Sequence, residues 1–101
     1  MVSITRKTSH EFRSLPGKWA TVESAMDGVH PMATEWTWLV AVDAARNPEK
    51  SDSIVERAVV TYAVRDGKGS TLWSMTLHAA NFRQRIAELR REHAEDVAIG
   101  A

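Results

Sequence analysis

The sequence predicts an α+β fold: a three-stranded antiparallel meander with an N-terminal and a C-terminal helix on one face, in the order α-β-β-β-α. Three observations carry this reading. Apolar residues recur at helical spacing near the start (Leu15, Trp19, Val22, Met26) and near the end (Phe82, Ile86, Leu89, His93). Between them, three segments alternate large and small or apolar and polar side chains with the period of a strand. A turn sequence, Asp66-Gly67-Lys68-Gly69, joins two of those segments as a hairpin.

Each element follows in order. Residues 1–13 read as a basic, partly flexible N-terminal arm, residues 14–96 as a single α+β domain, and residues 97–101 as a frayed tail. Thr8 and Glu11 have the spacing of a capping box, and Pro16 limits any helix begun there to about one turn. A helix is expected over residues 15–27. Ser14 caps it, Pro16 sits in its first turn, and Gly28 with Pro31 stops it. Residues 35–43 read as a strand in which Trp36, Trp38, Val40 and Val42 alternate with Thr37, Leu39 and Ala41. Residues 44–53 form a polar connection. In the second strand, residues 54–65, Ala58, Val60, Tyr62 and Val64 share one face, and Arg57, Val59, Thr61, Ala63 and Arg65 the other. The third strand, residues 71–77, puts Trp73, Met75 and Leu77 opposite Leu72, Ser74 and Thr76. Asn81 and Gln84 cap a last helix over residues 81–96, with Val97 one turn beyond His93. The expected core takes the apolar face of each element, including Trp19, Val22, Met26, Trp36, Trp38, Val40, Val60, Tyr62, Val64, Trp73, Met75, Phe82, Ile86 and Leu89.

Composition bounds the chemistry. The 101 residues suit one domain, and the four tryptophans give a small core large buried area per residue. With no cysteine there is no disulfide scaffold, thiolate metal site or cysteine nucleophile. The 13 basic and 13 acidic side chains cancel, which argues against indiscriminate attraction to polyanions. The balance is uneven along the chain. Residues 1–20 hold four basic side chains and one acidic, residues 21–60 three and seven, and residues 61–101 six and five. No run approaches the ~20 apolar residues of a membrane-spanning helix, and no apolar stretch follows the basic N-terminus, so the default expectation is a cytoplasmic protein without membrane attachment.

No catalytic or metal constellation emerges. His10, His30, His78 and His93 have no metal-ligand spacing, so no metal and no cofactor are expected. Gly-x-Ser-x-Gly is absent. The 66–70 stretch lacks the first glycine of a phosphate loop and leads into a strand. The reading leans away from an enzyme, and His93 is the residue that would argue otherwise, as a pocket base beside the tryptophans.

The expected uncovered sheet face is the candidate site. Leu39, Val59, Ala63 and Leu72 would form a small apolar patch there, with Thr61, Arg57 and Arg65 as its polar rim. On the last helix a helical wheel places Arg83 and Arg90 on one flank, where guanidinium groups suit a carboxylate or phosphate partner. These features predict a small non-catalytic interaction module, adaptor- or inhibitor-like, that binds a larger protein through its open sheet face or last helix. Edge pairing between copies offers a route to a homodimer. A second reading is nucleic-acid binding through the basic arm and the basic flank of the last helix. A third is a small-ligand binder or enzyme with a pocket of Trp36, Trp38, Tyr62 and Trp73.

Overall fold

The structure is a computed structural model that describes residues 1–100, with side chains described as far as Glu92. The elements in chain order are β1 (Ser3–Thr8), β2 (Phe12–Ser14), α1 (Val22–Arg46), α2 (Ser51–Arg57), β3 (Val59–Arg65), β4 (Thr71–His78) and α3 (Arg83–Gly100). Single 3-10 turns at Pro48–Lys50 and Ala79–Phe82 precede α2 and α3. The fold is α+β, with one antiparallel sheet in the order β2-β1-β3-β4. The expected α-β-β-β-α meander is therefore corrected to β-β-α-α-β-β-α.

The chain divides into two compact units. One comprises Met1–Ala33 and Val59–Leu77, the other Thr34–Ala58 and the residues from His78 onward. Helix α1 supplies its first part to one and its second part to the other.

The first unit is the sheet with the start of α1. Its N-terminal residues are not an arm outside the domain. Strand β1 pairs with β3 over its whole length, placing Ile4 opposite Val64, Arg6 opposite Tyr62 and Thr8 opposite Val60. Strand β2 pairs with the other edge of β1. Thr8 and Glu11 do not begin a helix. The Thr8 hydroxyl accepts hydrogen bonds from the backbone N–H groups of His10 (3.3 Å) and Glu11 (3.2 Å), and so closes the turn between β1 and β2. Capping pairs and turns use the same side-chain chemistry.

Helix α1 begins later than the sequence pattern suggests. Thr21 and Ser24 cap it reciprocally, with Ser24 N–H donating to Thr21 Oγ1 (3.1 Å) and Thr21 N–H donating to Ser24 Oγ (3.3 Å). It then runs 25 residues, through both Gly28 and Pro31. Gly28 makes room for a neighbour within the helix. A Cβ at that position would lie 3.1 Å from Trp19 Nε1. Trp19 is held there because its backbone exchanges hydrogen bonds with Val2, at 2.8 and 3.0 Å. Pro31 has no N–H for the Asp27 carbonyl, and the helix absorbs that loss. Its buried stripe is Ala25, Val29, Ala33, Val40 and Ala44 at helical spacing, with half-buried Trp36 filling the interval. The expected strand over residues 35–43 is thus helix. Met26 and Trp38, expected in the core, are exposed by 36% and 45%.

Tyr62 ties sheet to helix in this unit. It is 1% exposed, between Val60 and Val64 at 0% on the same face of β3, and its hydroxyl donates to the Met32 carbonyl at 3.2 Å. The Asp66–Gly69 turn forms as expected, with Gly69 at φ +86°, a conformation glycine adopts without a Cβ clash. The Asp66 carboxylate accepts from the N–H groups of Lys68 and Ser70, each at 2.9 Å.

The second unit is helical. Val40, Ala41 and Ala44 of α1 cluster with Val55 of α2, with Ala79, and with Ile86 and Leu89 of α3. Trp36, Ile54 and Ala58 pack against this cluster. Residues 51–57, expected as connection and strand, are helix, and β3 starts only at Val59. Phe82, expected to be buried, is 39% exposed, whereas Ile86 and Leu89 are buried. His93 and Val97 have side chains outside the described residues.

Two stability measurements test these contacts. Gly28→Val should cost about 2 kcal/mol in urea unfolding, because a branched side chain overpacks against Trp19. Pro31→Ala should stabilise by about 1–3 kcal/mol, because it restores one helical hydrogen bond and removes a ring clash. A neutral Gly28→Val would show that Trp19 moves aside freely, and a destabilising Pro31→Ala would contradict a continuous helix.

Candidate functional site

Strand alternation and pairing register define the sheet face turned away from Tyr62. Opposite residues of paired strands share a face, so Ser3, Thr5 and Lys7 of β1 lie with Arg65, Ala63 and Thr61 of β3. The register of β2 adds Phe12 and Ser14. The hydroxyls of Thr61 and Thr76 are 2.9 Å apart, which places Thr76, and with it Leu72 and Ser74, on this side of β4.

This face matches the expected one in part. Val59, Thr61, Ala63, Arg65 and Leu72 are all on it. Val59 and Thr61 are half-buried, and Ala63 is buried at 5%. Two residues assigned to it are elsewhere. Leu39 lies on α1 in the helical unit, 49% exposed. Arg57 is exposed in the last turn of α2. Both belong to segments, residues 35–43 and 54–58, whose sequence alternates like a strand although helix packing decides their structure. The expected apolar patch is therefore smaller.

In its place are two separated apolar side chains. Phe12 is 58% exposed on β2 and Leu72 is 48% exposed on β4. These are the outermost strands of the sheet, three strand spacings or about 14 Å apart, and the two residues are also offset along the strands by about four positions. Between them lie hydroxyls and the Arg65 guanidinium. Arg65 Nε donates to Thr5 Oγ1 at 3.3 Å and Nη1 to the Gly69 carbonyl at 3.0 Å. Its Cζ lies 5.7 Å from the centroid of the Phe12 ring, a cation–π distance. Lys7 and Arg65 are the charged residues among these strand positions, and no carboxylate accompanies them. Phe12, Lys7 and Thr5 join this face because part of residues 1–13, expected as an arm, forms β1 and the start of β2. The available signal was the β-branched content of Val2, Ile4, Thr5 and Thr8 ahead of a turn.

The two arginines of the last helix have different surroundings. Arg83 forms an ion pair with Glu56, both side chains being more than half exposed, so it is already neutralised by a carboxylate. Arg90 lines an open cleft of about 430 Å³ with Ala45, Ala87 and Arg91. Its Nε is buried without a hydrogen-bond partner among the described residues. The aromatic residues considered for a ligand pocket divide between the two units. Tyr62 and Trp73 belong to the sheet unit, whereas Trp36 and Trp38 belong to the helical unit.

Among the described residues, no group of three or more His, Asp or Glu side chains is placed to hold a metal ion. No helix among them is long and apolar enough to cross a membrane. No family model matches the chain, and neither the curated proteins nor the solved structures give a significant match.

The Arg65–Phe12 contact is measurable. A double-mutant cycle with Phe12→Ala and Arg65→Ala should give a coupling of about 0.5–1 kcal/mol in unfolding experiments, the range for an exposed cation–π pair. Zero coupling would mean that the guanidinium does not rest on the ring.

Proposed function

We propose that the chain is a non-catalytic interaction module that engages a partner protein through the open face of its sheet. The observation that supports this most is the pair of exposed apolar side chains, Phe12 and Leu72, at opposite margins of a face whose other residues are hydroxyl-bearing side chains, two cations, half-buried Val59 and buried Ala63. Apolar anchors give affinity when a partner desolvates them, and the ordered polar groups between them give orientation. Arg65 is held by Thr5, Gly69 and Phe12 before any partner arrives, so little side-chain entropy remains to be lost there.

The test compares variants on one surface. Wild-type chain, a Phe12→Asp/Leu72→Asp double variant and Leu39→Asp are immobilised and exposed to the same native-host extract, and retained proteins are quantified by mass spectrometry. A specific partner should lose at least about tenfold in retention on the double variant and be unaffected by Leu39→Asp, with unchanged circular dichroism throughout. Equal retention by wild type and the double variant overturns the reading.

A second reading, binding of single-stranded nucleic acid, has one observation in its favour: the face carries Lys7 and Arg65 and no carboxylate. It predicts a low-salt gel shift whose affinity falls steeply as salt rises, since binding must displace counterions. No shift at low salt removes it.

A further inference from the structure

The two edges of the sheet differ. Strand β2 forms one edge, is three residues long and carries Arg13 at its centre. Strand β4 forms the other and runs eight residues, Thr71–His78. From Thr71 to Leu77 it holds no charge, no proline and no glycine, and none of its residues is buried. Proteins ordinarily blunt an exposed edge with a charge, a proline, a bulge or a short strand, because unpaired N–H and C=O groups template another strand. Among the sheet's edges, β2 has that protection and β4 lacks it.

We infer that β4 pairs antiparallel with β4 of a second copy, making a two-fold dimer with one continuous eight-stranded sheet. The occupant is a second copy because the strand is complementary to itself. It is uncharged over Thr71–Leu77, so two copies bring no like charges together, whereas β2 would set Arg13 near its own equivalent. A two-fold pairing is also closed, and leaves no new edge of the same kind. Centred on Ser74, the pairing sets Leu72 opposite Thr76 and Trp73 opposite Met75, each twice. Both arrangements keep every side chain on its present face, because an even register preserves the alternation. Trp73 and Met75, half-buried in one copy, gain a thioether–aromatic contact across the axis. This goes beyond the proposed partner face. It uses the strand edge, and it would leave Phe12, on the far edge strand, exposed in both copies.

Analytical ultracentrifugation over a range from low to high micromolar concentration tests the pairing, together with amide hydrogen exchange at both extremes. The wild type should form a reversible dimer, and amides at alternate positions of β4 should exchange at least about tenfold more slowly in it. Ser74→Lys, at an exposed position, puts like charges opposite each other at the axis. It should weaken dimerisation at least about tenfold at low salt, with partial recovery at high salt. Because the chain has no cysteine, Ser74→Cys should give a single interchain disulfide under mild oxidation, while Lys68→Cys on the turn should not. A monomer at every concentration overturns the inference. So does a dimer that Ser74→Lys leaves intact, or one that leaves β4 amide exchange unchanged. If Phe12→Asp/Leu72→Asp abolishes association without any β4 protection in the wild type, the copies meet face to face and the edge pairing is wrong. Phe12→Asp, on the edge strand farthest from β4, should lose partner retention while the dimer and its β4 protection persist, which separates this inference from the proposed partner face.

Discussion

The register of β3 is the constraint on which the sheet and its candidate site depend. Val60, Tyr62 and Val64 are buried on one side of it, and Tyr62 reaches the Met32 carbonyl of α1. Pairing transmits that choice to β1, where Ile4 follows Val64 inward and Thr5 and Lys7 are sent outward. It passes to β2 through β1, and to β4 through the Thr61–Thr76 hydroxyl pair. A slip of one residue would move the whole apolar set of β3 into solvent and bring Arg65 into the core. The outward positions of Phe12, Arg65 and Leu72 are consequences of where Tyr62 must go.

The part of the fold legible in the sequence was the part held together by short-range signals. The Val59–Leu77 hairpin could be read because alternation and a glycine-containing turn agree along a few residues. Ile86 and Leu89 could be read because large aliphatic residues mark a helical stripe. Helix α1 was not legible, since its buried stripe is mostly Ala and Val. Small residues contribute little contrast to a pattern, and the larger Trp36, Trp38, Val40 and Val42 beside them alternate like a strand. Gly28 and Pro31 look like a stop signal when read locally. Their actual meaning, a seat for the Trp19 indole and a tolerated gap in the bonding ladder, depends on residues far away along the chain.

The same distinction governs the candidate site. Val59, Thr61, Ala63, Arg65 and Leu72 were placed correctly on one face because they belong to the legible hairpin. Phe12 and Lys7 reach that face only through β1, whose pairing partner is more than fifty residues away in sequence. Leu39 and Arg57 were misplaced for the converse reason: local alternation was accepted in segments where the helical unit's packing decides the structure.

The brevity of β2 has a consequence for how the open face presents itself. Its three residues are all exposed, and they meet the rest of the sheet through a short ladder to β1 and the Phe12–Arg65 contact. Such a segment is the natural place for local opening, since releasing it exposes almost no buried apolar surface and leaves the β1–β3 ladder whole. In the opened form the face would lack its aromatic and Arg65 would lose the ring beneath it. A ligand that needs Phe12 would then sense only the fraction of molecules with β2 docked, and its apparent affinity would scale with that fraction. Substitutions in the Ser9-His10 turn could tune recognition without touching any residue of the recognition face.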